Sequence, residues 1–378
     1  MSTTQMAREI AEQPVALGRT LDVLIPLRPQ LAQLAGGRRK VLFAARGTSD
    51  HAAIYGRYLL ETHAGILGGL LSPSVATHYR SRLDLTDCVV VCVSQSGQTA
   101  EIVESEAWAK GCGAVTVAVT NVADSPLAAN ADIALVTQAG PELAVPATKS
   151  HTTQLAAMAV IGTALATEPE ALDADLARIP AEVQRLLAAD VADAVAGLRD
   201  ADHVVVSGRG LMLGSALETA LKLEETCLRP VRGYSYADFR HGPIAVVTSG
   251  VTAILLAAPD GPLLAPMTEL ASDLSSRSRH GRHRRGWRVR EGVHHAPARP
   301  GRPRAARPTG RDRARAGAGG TADPRARPGS RQPSRAVEGR HHRPLGGRPI
   351  AGWRQPPGRP AAPRAAAALE TWPASVTK

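Results

Sequence analysis

The chain has 378 residues, enough for two domains with proper cores, and its 45 Lys+Arg against 34 Asp+Glu give a formal charge of +11. The charge is uneven: residues 1–276 hold 20 basic against 29 acidic side chains, and residues 277–378 hold 25 against 5, so the basic character belongs to the C-terminal region alone. No secretory signal pattern opens the sequence and no stretch reaches the ~18 uninterrupted apolar residues of a membrane helix, so no membrane partner and a cytoplasmic location are expected.

In chain order, a helical segment over 1–34 precedes a first domain over 35–166. Within it Val41–Ala45, Cys88–Ser94, Val115–Thr120 and Ile133–Thr137 are short, rich in β-branched residues and nearly continuous in apolarity, which predicts parallel strands covered on both faces. His51–Thr62, Thr99–Lys110 and Ser150–Ala166 carry helical periodicity between them, so the class is α/β, a three-layer αβα sandwich. A helical connector, 167–200, leads to a second domain over 201–276, with strands at Val204–Ser207 and Val251–Ala257 and helices at Leu213–Cys227 and Met267–Ser276. VLFAARGTSDHAA (41–53) and VVVSGRGLMLGSA (204–216) share one plan of strand, small-residue turn and helix. That suggests a duplicated domain, although glycine at a strand-to-helix turn is common to doubly wound folds in general. The four cysteines, Cys88, Cys92, Cys112 and Cys227, lack metal-ligand spacing and are expected to be small buried hydrophobes, with no disulfide and no metal.

After Ser276 the next strand of the second domain is due and does not come, which leaves that domain incomplete. Residues 277–378 contain 24 Arg and 14 Pro but no Phe, Tyr or Met. Such a segment cannot bury enough apolar surface to offset its chain entropy and is expected to be a disordered tail.

The segment CVVVCVSQSGQTAEIVESEAWAKG (88–111) runs a strand into a helix through a hydroxyl-rich turn. Backbone N–H groups and the hydroxyls of Ser94, Ser96 and Thr99 are directed there toward one spot, an arrangement suited to an anion. The turn lacks the Gly-Lys-Ser/Thr ending of a Walker loop and the G-x-G-x-x-G of a dinucleotide site, so a phosphate monoester suits it better than a polyphosphate. The plain alternative is that Thr99 caps the helix. The turn Gly208–Gly214 has one residue too many for a nucleotide fingerprint and reads as close helix–strand packing. On the next helix Lys222 and Glu225, spaced i, i+3, share a face, either as a solvated ion pair or as chemistry. With His241 of FRHGP (239–243) they form a set able to move a proton between adjacent carbons of a sugar phosphate.

MAREIAEQP (6–14), ARGTSDHA (45–52), VSQSGQTAE (93–101), AVPATKSHTTQ (144–154), GRGLMLGSALETALKLEE (208–225) and FRHGP together resemble the paired sugar isomerase (SIS) domains of enzymes that make glucosamine 6-phosphate from fructose 6-phosphate. The resemblance covers about 6–276. It implies two SIS domains, phosphate held by Ser94, Ser96 and Thr99, and sugar held by Thr48, Ser49, Gln95 and Val145. It further implies Glu225 as the base between C1 and C2, Lys222 as its support, and His241 as the group that opens the ring, commonly from the neighbouring subunit of a homodimer. No cofactor is implied.

Three departures matter. The chain starts Met1-Ser2 and enters the EIAEQP block at once, leaving no room for a glutaminase domain, which favours relatives that deaminate a hexosamine 6-phosphate to fructose 6-phosphate and ammonia. Ala147 stands where the synthase pattern has Ser, so the substrate is expected to differ. In the tail no lysine matches the family's closing lysine. Its Arg, Pro, Gly and Ala are what a GC-rich gene read in a shifted frame from about Arg277 encodes. A nucleic-acid-binding tail is the rival reading; it has ample charge, but Lys is nearly absent and stacking aromatics beyond Trp287, Trp353 and Trp372 are missing, so no nucleic acid partner is expected. A non-catalytic sugar-phosphate sensor is the alternative from another functional class.

Overall fold

The computed structural model describes residues 4–248, 250–280 and 375–377. Three helices come first, α1 (Gln5–Ala11), α2 (Gln13–Leu24) and α3 (Arg28–Ala35). There follow β1 (Lys40–Ala44), α4 (Thr48–Leu59), β2 (Leu67–Leu70), α5 (Pro73–Thr77), β3 (Cys88–Val93), α6 (Ala100–Gly111), β4 (Val115–Thr120), α7 (Pro126–Asn130), β5 (Ile133–Val136) and α8 (Lys149–Ala164). The connector holds α9 (Asp173–Leu187) and α10 (Ala192–Arg199). The second half consists of β6 (His203–Gly208), α11 (Met212–Cys227), β7 (Val231–Ser235), α12 (Tyr236–Arg240), β8 (Val251–Leu256), α13 (Leu264–His280) and β9 (Ser375–Thr377).

The first sheet is parallel in the order β2-β1-β3-β4-β5. The two-residue period of a strand sorts its side chains between two cores. Val89, Val91 and Val93 of β3 join the core built with α2, α4, α8 and α9, whereas Cys88, Val90 and Cys92 join the one under α6. With both faces covered, every residue of β3 is buried, which is why the run reads as unbroken apolarity. The second sheet has the order β7-β6-β8-β9, parallel except for β9, which pairs antiparallel with β8. Ile254 and Leu256 of β8 pack with Met212, Ala216 and Ala220 of α11; Val251, Ala253 and Leu255 pack with Met267, Leu270 and Leu274 of α13. The described residues fall within one contact unit, and the other unit, 293–359, lies outside them. Among the described residues no helix is long and apolar enough to cross a membrane.

The predicted strands and helices are present, with several corrections. β2 and β7 were not anticipated, because LGGL and VRGYS show neither alternation nor a continuous apolar run. The connector breaks into α9 and α10 and carries Pro180 inside α9. All four cysteines are free, but only Cys88 and Cys92 are buried; Cys112 is half-buried and Cys227 is exposed at the end of α11, so the buried-hydrophobe reading fails for Cys227. The expectation of disorder over 277–378 lies outside the described residues, apart from the end of α13 and β9.

One core side chain breaks the apolar pattern. Glu106 shares a face of α6 with Ile102 and Ala109, is 0% exposed, and neither carboxylate oxygen has a hydrogen-bond partner among the described residues. Burial, only partly opposed by Lys110, pushes its pKa from 4.5 to about 8. The folded protein therefore keeps a proton that the unfolded chain releases near 4.5, and the linked stability is full below that pH and declines as pH rises to about 8. Glu106→Gln is expected to flatten this decline and to leave the variant more stable than the parent at pH 8.5 by on the order of 2 kcal/mol. Urea denaturation from pH 5 to 9 measures it.

Candidate functional site

In the order β2-β1-β3-β4-β5 the helix after β1 and the helix after β3 leave on opposite faces. α4 places Ala52, Ala53, Tyr55 and Leu59 in one core, and α6 places Ile102 and Ala109 in the other. The turns 45–47 and 94–99 therefore diverge and leave a crevice beyond the carboxyl ends of β1 and β3, the topological switch point of an open parallel sheet.

The turn after β3 is fixed on its far side by β4 and the start of α7. Ser94 N–H donates to Val119 O at 3.0 Å, Gln95 O accepts from Asn121 N–H at 3.0 Å, and Gly97 O accepts from Leu127 N–H at 3.1 Å. Gly97 has φ +62°, and a Cβ there would lie 2.2 Å from Ser125 Oγ, so both its conformation and its neighbour demand glycine. The hydroxyls of Ser94 and Thr99 meet at 3.0 Å. Thr99 occupies the cap position of α6 but makes no side-chain cap hydrogen bond, so the plain capping reading is not what is built. Ser96 Oγ accepts from Gln98 N–H at 3.2 Å within its own turn. Gln95 and Ser96 are half-buried.

Across the crevice, Gly47 turns the chain into α4, and Thr48 Oγ1 donates to Glu218 Oε1 at 3.0 Å. Ser49 instead faces α8, where its Oγ accepts from Gln154 Nε2 at 3.1 Å. Arg46, which sequence reasoning passed over, joins the two turns through Nε and Nη2 to the carboxylate of Glu101 at 3.0 and 2.8 Å.

The second half enters through α11, whose Gly214 lies so close to α4 that a Cβ would come within 2.4 Å of His51 O. One turn on is Glu218, 1% exposed. Its carboxylate accepts from Thr48, meets His51 Nδ1 at 2.7 Å, and lies 3.3 Å from Lys222 Nζ. Burial alone pushes Glu218 up, but His151, His51 and Lys222 together overcome it and hold its pKa at about 2. Lys222 also donates to Thr48 Oγ1 at 3.3 Å and to Glu225 Oε2 at 2.6 Å, so its ammonium bridges one buried and one solvent-facing carboxylate. Sequence reasoning missed Glu218, although its i, i+4 spacing to Lys222 was a usable signal.

The loop before α8 is held by acids of the N-terminal segment and by its own Glu142. Glu9 accepts from the N–H groups of Leu143 at 2.6 Å and Ala144 at 3.1 Å, Glu12 pairs with buried Lys149, and Glu142 accepts from Thr148 N–H at 2.8 Å. Val145 in that loop is 94% exposed. His241, at the C-terminal end of α12, is exposed and is not joined to Lys222 or Glu225 by a hydrogen bond or ion pair among the described residues. The structure thus joins Thr48, Lys222 and Glu225 in one network and Ser94 with Thr99 in another at the same sheet end, and leaves Ser49, Val145 and His241 apart from both. No group of three His, Cys, Asp or Glu suited to a metal occurs among the described residues.

Comparison with known proteins gives the same architecture. A SIS domain profile matches residues 36–164. A solved protein of Silicibacter pomeroyi DSS-3, provisionally named phosphosugar isomerase, superposes with TM-score 0.67 at 32% identity over 75% of this chain and 88% of that one. The C-terminal domain of glucosamine-fructose-6-phosphate aminotransferase from Francisella tularensis superposes with TM-score 0.65 at 27% identity, covering 73% and 82%. The isomerizing glutamine–fructose-6-phosphate aminotransferase of Symbiobacterium thermophilum is 36% identical over 272 residues, 66% of this chain and 44% of that protein. This chain thus spans less than half the length of the curated relatives of that kind.

Glu218→Ala should leave Lys222, His51 and Thr48 facing an uncompensated gap. An unfolding free energy lower by about 3–5 kcal/mol is expected, as for breaking one side of a buried ion pair, with a smaller loss for Glu218→Gln. The midpoint of urea denaturation at pH 7 reports both.

Proposed function

We propose that this chain, which belongs to the SIS-domain family, has two SIS domains, 35–166 and an incomplete 201–276, and deaminates a hexosamine 6-phosphate. The observation that carries the reading is the chain of contacts Thr48–Lys222–Glu225 beside the Ser94–Thr99 turn at one switch point.

In this reading the phosphate lies at the start of α6 on the hydroxyls of Ser94, Ser96 and Thr99, where the helix dipole favours an anion. Thr48, Gln95, Ser49 and Val145 hold the sugar. Once the ring is open, Glu225 takes the proton from C2 and returns it at C1, which converts the 2-amino aldose into a 2-imino compound. Water adds to that imine, the C–N bond breaks, and fructose 6-phosphate and ammonia leave. Lys222, which donates to Glu225 Oε2 at 2.6 Å, fixes that carboxylate in direction. His241, exposed in its own chain, protonates the ring oxygen from the other subunit of a homodimer. The chemistry needs no redox cofactor, and the site of action is the cytoplasm.

A second reading, a sugar-phosphate-binding protein without turnover, is favoured by one observation, the separation of His241 from Lys222 and Glu225. The same experiments separate the two.

Ser96→Ala removes one charge-assisted hydrogen bond and is expected to weaken glucosamine 6-phosphate binding about 10- to 100-fold by calorimetric titration; unchanged affinity would remove Ser96 from the phosphate site. Glu225→Gln keeps the shape and removes the basicity. Exchange of the C2 proton with deuterated water and ammonia release should fall by about 100-fold or more, with binding changed only a few-fold. A parent chain that binds the sugar phosphate but exchanges no C2 proton would establish the binding reading instead.

A further inference from the structure

α8 carries a group that the proposed reaction does not use. His151 is 5% exposed, and neither of its ring nitrogens has a hydrogen-bond partner among the described residues. Buried polar side chains are hydrogen-bonded in the large majority of cases, so a ring with two unpaired nitrogens points to a ligand that supplies the bond. Burial favours the uncharged ring, with Glu218 opposing. A neutral imidazole offers one donor and one acceptor, and its tautomer adapts to what it meets.

The ring borders a cavity of ≈ 270 Å³ between the N-terminal helices and α8, α9 and α11. Its walls are mainly apolar, with Ile10, Leu155, Leu186 and Met212 among them, and the charged groups on its lining are Glu218 and Lys222. Both charges are already matched, Glu218 by Thr48, His51 and Lys222, and Lys222 by Glu218 and Glu225. A charged ligand would therefore be buried without a counter-charge, at a large desolvation cost, whereas a neutral head loses little. We propose that this cavity is a binding site for a small uncharged molecule with an apolar body and one hydrogen-bonding head, of the kind of an aliphatic carboxamide, the head on His151 and the body against Leu155 and Met212.

The test uses the full chain with histidine labelled at Cε1, the His151 signal being identified by its loss in His151→Phe, and hexanamide, hexanoate and hexylammonium as probes. Hexanamide is expected to shift the His151 signal saturably, with the two charged probes at least about tenfold weaker. Leu155→Trp, which fills the cavity, should abolish the shift; Leu186→Trp gives the same reading from another wall if the first variant does not fold. His151→Phe should weaken hexanamide about tenfold, followed by its own line broadening. No saturable shift, equal binding of the charged probes, or a shift that survives both tryptophan variants would overturn the assignment. Glucosamine 6-phosphate binding is measured separately, so this site and the phosphate site fail independently.

Discussion

The carboxylate of Glu218 is the constraint around which the rest is arranged. An anion that is 1% exposed persists only if protein donors replace water, and three groups do so. Two of them, Thr48 and His51, come from α4 in the first half; the third, Lys222, comes from one turn further along α11. Satisfying the anion therefore fixes how α11 lies on α4, and the missing side chain at Gly214 lets the two backbones come close enough for it. The same ammonium that neutralises Glu218 reaches Glu225 at 2.6 Å, so the direction of the solvent-facing acid follows from the buried one.

Around this joint the protein uses acids as loop clamps. Glu9, Glu12 and Glu142 hold the segment before α8 by accepting backbone N–H groups and pairing with Lys149. A carboxylate that accepts several backbone N–H groups orders a loop that has no apolar anchor of its own, and Leu143 and Val145 are both exposed there. Glu106 is the counterexample in the same fold. With no donor within reach among the described residues, it is uncharged over most of the neutral range and fills core volume as a polar residue.

What could be read from the sequence follows from how local each signal is. β3 and β8 announce themselves because every residue is buried and the run is apolar throughout β3 and, but for Thr252, throughout β8. β2 and β7 are edge strands next to β1 and β6; their LGGL and VRGYS carry little burial, so little pattern. The turn 94–99 was legible as a strand-to-helix turn because hydroxyls and glycine cluster there. That Ser49 turns toward Gln154, or that Arg46 reaches Glu101 fifty-five residues on, depends on tertiary approach and leaves no mark in local spacing. Glu218 was half legible: its place four residues before Lys222 can be read from one helix, but the partners on α4 cannot. Cys227 shows the opposite error, since α11 is already exposed over its last residues, Glu224 to Cys227.

The anchoring of the turn 94–99 has a kinetic side. Its carbonyls at Gln95 and Gly97 are already engaged by Asn121 and Leu127, and Gly97 sits against Ser125 with no room to shift. The entropy of ordering this loop is thus spent when the chain folds, and a ligand that met the turn would have no loop to close. Encounter at such a pre-ordered turn is governed by diffusion and local charge, so differences in affinity among its ligands would reside in how long each remains rather than in how fast each arrives.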